Sequence, residues 1–145
     1  MKLLILNGPN LNLPGLREPE IYGSVNYETL CRMIRDHAAE MGAEAEIYQS
    51  NHEGDPVDQI QAAMNRFDGI VINPAAYTHT SVALLDALRA VQIPTVEVHI
   101  SDMDQRESFR RVSYVRPACV AAIIGHGVQG YLEAMDLLLS REVTP

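Results

Sequence analysis

Five short apolar runs punctuate the chain, and most are followed by a stretch whose apolar residues recur at helical spacing. Lys2–Leu6 is apolar without alternation and stops at Asn7-Gly8-Pro9, which predicts a buried strand ending in a loop. Ala45–Tyr48, Gly69–Ile72 (broken by Asn73-Pro74), Thr95–Ile100 and Val120–Ile124 read as four further strands. Asn26 is placed to cap a helix on which Leu30, Met33, Ile34, His37, Ala38 and Met41 follow at helical spacing, with Gly42 as the stop. Asp55-Pro56 pairs a cap with a proline at the first helical position, and Val57, Ile60, Met64 and Phe67 follow on one face. Thr78–Val91 predicts a third helix with Ser81, Leu84, Leu85 and Leu88 inward, and Glu107–Val112 a short one. After Gly125-His126-Gly127, a last helix carries Val128, Tyr131, Leu132, Met135, Leu138 and Leu139.

Strands alternating with helices imply right-handed crossovers and a parallel sheet covered on both faces. The expected fold is α/β: a doubly wound, flavodoxin-like, five-stranded sheet of order 2-1-3-4-5, forming one domain over residues 1–145. Ligands of such sheets bind beyond the carboxyl ends of the strands, at the switch point. That directs attention to the loops Asn7–Gly23, Asn73–Thr80 and His99 to Arg110. The first is longer than the roughly 2–6 residues usual for such a connection, so residues 14–23 are expected to act as an active-site lid.

Composition narrows the field. With 145 residues, 47% of them apolar and 21% charged, the chain is long enough to bury a core without disulfides or metal. No apolar run approaches the roughly 18 residues a membrane helix needs. The amino-terminal run is too short for a secretory signal, so the cytoplasm is the expected location. Eleven basic against 19 acidic residues make a net charge of −8, with no Lys/Arg cluster, which argues against nucleic acid as a partner. Anion binding would need locally placed Arg or backbone donors, and Arg17 and Arg110 are the candidates. Cys31 and Cys119 stand far apart, in segments read as helix and strand, and are expected to be small buried residues.

The three loops are rich in chemistry. The first carries Asn7, Asn10, Asn12, Arg17, Glu18 and Tyr22; the second Asn73, Thr78, His79 and Ser81; the third Glu97, His99, Ser101 and Arg110. His52, Glu53 and His126 lie on the other loops at this end. Tyrosine titrates near ~10, so Tyr22 becomes a base at neutral pH only if a cation such as Arg17 stabilises its anion; the plain alternative is a packed Tyr and a solvated Arg. Glu97 and His99 sit two apart on one strand and share a face near its carboxyl end. A carboxylate in that apolar run needs a partner, and a Glu beside a His fixes the tautomer for general acid work. A satisfied structural pair is the alternative. Metal is a competing reading of Glu97, His99, His79 and His52, although HxxxH, HExxH and CxxC spacings are absent. For Asn10, Asn12 and Asn73 the ordinary explanation is turn geometry. His37 reads as a half-buried helix residue. The first loop carries neither GxGxxG nor GxxxxGK[ST], which weighs against a flavin- or nucleotide-binding module that would hold phosphate there.

Asn7-Gly8-Pro9-Asn10-Leu11-Asn12, then Gly15, Arg17-Glu18-Pro19 and Ile21-Tyr22-Gly23, resembles the opening of the type II 3-dehydroquinate dehydratases. Ser50-Asn51-His52-Glu53-Gly54, Asn73-Pro74-Ala75-Ala76-Tyr77-Thr78-His79-Thr80-Ser81 with Asp86-Ala87-Leu88, Glu97-Val98-His99-Ile100-Ser101 with Arg106-Glu107-Ser108-Phe109-Arg110, and Gly125, Gly127 and Gly130-Tyr131 continue the likeness in order. Pro14 and Asp102 depart from it, where Leu and Asn are usual. The resemblance implies a hydro-lyase that converts 3-dehydroquinate to 3-dehydroshikimate and water through an enolate, in the shikimate pathway of aromatic amino acid biosynthesis or in quinate breakdown. It implies no cofactor: no metal and no Schiff-base lysine, in keeping with a lone Lys2 in the first strand. Carried over by position, Tyr22 is the base, Arg17 lowers its pKa and closes with the lid, and Asn10 stabilises the enolate. His99, held by Glu97, protonates the departing hydroxyl. Asn73, His79 and Arg110 hold the ring hydroxyls, while Ser101 and the Ile100–Ser101 backbone take the carboxylate. Asp86 reaches a neighbouring subunit's site in a dodecamer, a tetramer of trimers.

Overall fold

The computed structural model describes residues 1–12, 25–102 and 106–141. Strands β1 (Lys2–Asn7), β2 (Glu44–Gln49), β3 (Gly69–Asn73), β4 (Thr95–His99) and β5 (Ala121–Ile124) form one sheet of order β2-β1-β3-β4-β5, with every pairing parallel. Helices α1 (Tyr27–Glu40), α2 (Gly54–Ala62), α3 (Val82–Val91) and α4 (Gln129–Arg141) cover it. The flavodoxin-like order read from the pattern is the order observed.

The period-2 geometry of the strands sorts the core into two layers. Leu3, Ile5, Val71, Val96 and Val98 face α1 and α4, meeting Leu30, Ile34, Tyr131, Met135 and Leu138. Leu4, Leu6, Ile70 and Ile72 face the other way, onto Ile60 of α2 and Leu84 and Leu88 of α3. Burial on both faces explains why β1 and β3 read as unbroken apolar runs. The same alternation puts Asn7 and Asn73, which pair across β1 and β3, on the α4 side. Glu97 pairs with Ile72 and falls on the α3 side, together with His99.

Helix starts follow local hydrogen-bonding chemistry, and here several expectations are corrected. Asn26 caps α1 as expected, accepting from the Thr29 N–H at 2.8 Å, and the chain leaves α1 through Gly42 at φ +70°, a conformation glycine adopts without strain. Asp55 does not cap α2. The helix begins two residues earlier, at Gly54 with Glu53 as its N-cap residue, and the Asp55 carboxylate accepts instead from Ser50 Oγ at 2.6 Å. The expected helix over Thr78–Val91 divides into a 3₁₀ turn, Ala75–His79, and α3. The divider is Ser81, whose hydroxyl accepts from the Leu84 N–H at 3.0 Å; it is buried, as expected, but as the N-cap of α3 rather than as a residue within the helix. Glu107–Val112 contains a 3₁₀ turn at Ser108–Arg111, and a further one at Arg116–Ala118 was not anticipated. Cys31 is buried on α1, whereas Cys119 precedes β5 and is half-buried, its thiol donating to the Val115 carbonyl. Among the described residues, no helix is long and apolar enough to cross a membrane.

Candidate active site

A pocket opens at the carboxyl ends of β1, β3 and β4, as the switch-point rule requires. Its walls are Pro9, Asn10 and Leu11; Asn73, Ala75, Ala76 and His79; and His99, Ile100, Ser101, Arg106 and Arg110. The single lysine, Lys2, opens β1 at the opposite end of the sheet, where it pairs with Glu46 and lies over the Phe67 ring.

The β1 and β3 loops are locked together. Gly8 donates its N–H to Asn73 O at 2.8 Å, and a Cβ on Gly8 would stand 2.3 Å from the Pro74 oxygen, so only glycine permits this approach. Beyond it the chain turns through Asn10 in the left-handed region, φ +67°, which Asn tolerates better than most residues. Asn51 holds that turn: its Oδ1 accepts from the Asn10 N–H and from Gln49 Nε2, both at 3.1 Å, and its carbonyl accepts from the Tyr77 hydroxyl. Across the pocket Ala75 also has positive φ, +53°, with its N–H donating to Asn73 Oδ1 at 3.1 Å. Asn73 in turn donates through Nδ2 to the buried Tyr131 hydroxyl at 2.9 Å, and that hydroxyl donates to Asn7 Oδ1 at 2.6 Å. The Asn73 amide is therefore oriented from beneath by α4 before any ligand arrives.

Glu97 and His99 form the wall's buried ionisable pair. Their side chains are 0% and 6% exposed, and His99 Nε2 lies 2.5 Å from Glu97 Oε2. Glu97 does not line the pocket; it stands behind His99. Its carboxylate also accepts from Ser113 Oγ at 2.8 Å, and from Arg116 through Nε to Oε1 at 3.1 Å and Nη2 to Oε2 at 3.3 Å. Burial pushes the Glu97 carboxyl up, but the hydrogen bonds from His99, Arg116 and Ser113 outweigh it and leave it lowered to about 2. An ionised carboxylate only accepts, so the proton on Nε2 is fixed and Nδ1 is the nitrogen left for exchange.

His79 is set differently. Its Nδ1–H donates to the Val112 carbonyl at 2.7 Å, and burial, with the charges of His99 and Arg110, lowers its pKa against that bond. It is thereby held neutral, with Nε2 as an acceptor suited to a hydroxyl. Arg110 is anchored by Glu107, Nε to Oε2 at 2.6 Å.

The expected residues Asn10, Asn73, His79, His99, Ile100, Ser101 and Arg110 thus share one pocket, with Glu97 directly behind it. Arg17, Glu18, Tyr22, Pro14 and the lid over 14–23 lie outside the described residues. Asp86 is on the exposed face of α3, away from its own chain's pocket. Asn12, His52, Glu53 and His126 are not among the lining residues; His126 pairs with Glu133 and His37 with Asp136, each at 2.6 Å. A Cβ on Gly125 would stand 3.4 Å from the Asp102 Cβ, and Asp102 is not a lining residue. Arg106, Ser113 and Arg116 were assigned no role from the sequence. Arg106 fell inside a motif already noted; Ser113 and Arg116 reach Glu97 across 16 and 19 residues, a separation with no local spacing signal.

An acid–base pair and convergent polar groups at the switch point of a doubly wound sheet define an α/β enzyme acting on a small polar substrate. The comparisons narrow this. The family model for class II dehydroquinases matches residues 1–139, and the chain belongs to that family. It is 51% identical over 138 residues to the 3-dehydroquinate dehydratase of Clostridium acetobutylicum, covering 95% of this chain and 96% of that protein. Its fold matches the type II dehydroquinase of Butyrivibrio crossotus (TM-score 0.94, 51% identity, 95% and 97% of the chains) and that of Propionibacterium acnes (TM-score 0.92, 37% identity, 96% of each).

Proposed function

We propose that this chain is a hydro-lyase that converts 3-dehydroquinate to 3-dehydroshikimate and water, with Tyr22 as base and His99 as acid. Family membership supports the overall reaction, and the observation that carries the acid step is the His99–Glu97 pair at the pocket wall. A proton next to a ketone leaves as the C–H electron pair moves onto the carbonyl oxygen, forming an enolate. The Tyr22 phenolate, stabilised by Arg17, receives that proton. Collapse of the enolate re-forms the carbonyl and makes the ring double bond as the C–O bond to the hydroxyl breaks. His99 supplies the proton that turns the hydroxyl into water, through Nδ1, while Glu97 holds Nε2 and stabilises the imidazolium. Asn10 serves the enolate oxygen, neutral His79 and Asn73 the ring hydroxyls with Arg110, and Ile100–Ser101 the carboxylate. The exposed position of Asp86 on α3 suits a residue that completes a neighbouring subunit's site in a homo-oligomer, and the reaction belongs to cytoplasmic metabolism.

The experiment is a direct assay. 3-Dehydroquinate added to the protein, after treatment with borohydride and EDTA, should produce the ultraviolet absorbance of a conjugated enone. Tyr22→Phe should abolish it while leaving the melting temperature unchanged. Absence of product from folded wild-type protein would overturn the reaction; full activity of Tyr22→Phe would overturn the assignment of the base.

A further inference from the structure

Arg116 does not line the pocket, yet it makes a two-point contact with the one carboxylate that governs the acid. Its own side chain is 42% exposed while the Glu97 side chain is fully buried. The 3₁₀ turn Arg116–Ala118 carries it there, and the Ser113 hydroxyl, which donates to Glu97, also accepts from the Arg116 N–H at 3.3 Å. Glu97 is therefore shared between two cations when His99 is protonated, and between Arg116 and a neutral ring when it is not.

That sharing has a chemical consequence. A buried carboxylate facing only a histidine holds the imidazolium tightly, which makes a poor acid. A permanent positive charge on the same carboxylate offsets part of that attraction. We propose that Arg116 is a positioning residue for the dehydration step: it keeps Glu97 ionised and aimed at Nε2 while loosening His99's hold on its proton. The inference rests on the reading of His99 as the acid for its effect on turnover. The other groups facing the pair leave this balance to Arg116. His79 is held neutral, Cys119 is pushed up to about 12 by burial and by Glu97's charge and stays a thiol, Arg110 is paired with Glu107, and Arg106 stands on the pocket wall.

The test compares wild type with Arg116→Met, which keeps bulk and removes charge, and Arg116→Lys, which keeps charge and loses the fork. The His99 ring resonance, in ¹³C-histidine-labelled protein assigned with His99→Gln, is titrated from about pH 5 to pH 9, and kcat is measured over the same range. Partial exposure of Arg116 screens its charge, so the expected change is modest. In Arg116→Met the His99 midpoint and the alkaline limb of kcat should both move upward by about half a unit to one unit, with Arg116→Lys recovering most of the change. An unmoved His99 midpoint in folded Arg116→Met overturns the inference. A midpoint that moves while the kcat limb stays put upholds the coupling of Arg116 to His99 and removes His99 as the acid.

Discussion

Replacing Glu97 by Gln tests the acid pair most sharply, because one atom change alters both stability and catalysis by amounts the structure fixes. The amide keeps the shape of the side chain, but His99 Nε2, Ser113 and Arg116 all donate to the present carboxylate. A neutral Gln accepts poorly from three donors and brings an N–H₂ into their midst. The fall of the Glu97 carboxyl from 4.5 to about 2 corresponds to about 3–4 kcal/mol at about 1.4 kcal/mol per pH unit. Loss of one member of a buried ion pair typically costs about 3–5 kcal/mol, in agreement. At roughly 2–4 °C per kcal/mol for a chain of this size, the melting temperature at pH 7 should fall by about 6–16 °C. Because the folded-state pKa lies below the unfolded one, Glu97 stabilises fully above about pH 4.5, and that contribution is lost as pH falls towards 2. The gap between wild type and Glu97→Gln should therefore be constant from about pH 6 to pH 8 and narrow below pH 4.5. In the enone assay kcat should fall about 10²–10⁴-fold, the usual worth of a general acid, with KM little changed. A stability gap that stays constant down to pH 3, or a variant with wild-type kcat, would refute the reasoning.

Two other predictions follow from the packing around the pocket. Tyr131→Phe removes the hydroxyl linking Asn7 and Asn73 and should cost about 1–3 kcal/mol in urea denaturation while raising KM, since the Asn73 amide loses its anchor; an unchanged KM would show that Asn73 needs no support from α4. Gly8→Ala drives a Cβ to 2.3 Å from the Pro74 oxygen and should cost roughly 1–3 kcal/mol and lower kcat/KM by parting the loops that carry Asn10 and Asn73; stability equal to wild type would contradict the observed approach.

Much of the molecule was legible in the chain. Apolar runs of strand length alternating with helical spacing determined five strands, their parallel arrangement and the two-layer core, because burial on both faces leaves no polar alternation in β1 or β3. Position two apart on one strand determined that Glu97 and His99 share a face, and the motifs determined the family. The tertiary structure decided the rest. Whether the buried Ser81 lies within a helix or caps α3, and whether Asp55 caps α2 or takes the Ser50 hydroxyl, depends on which donor lies nearest, and short polar side chains offer both. The sharing of Glu97 by Ser113 and Arg116, and the anchoring of Asn73 by Tyr131, join residues 16 to 58 positions apart. Such contacts leave no periodicity to read: a buried carboxylate or amide dictates that a partner exists, and only the folded backbone decides which one reaches it.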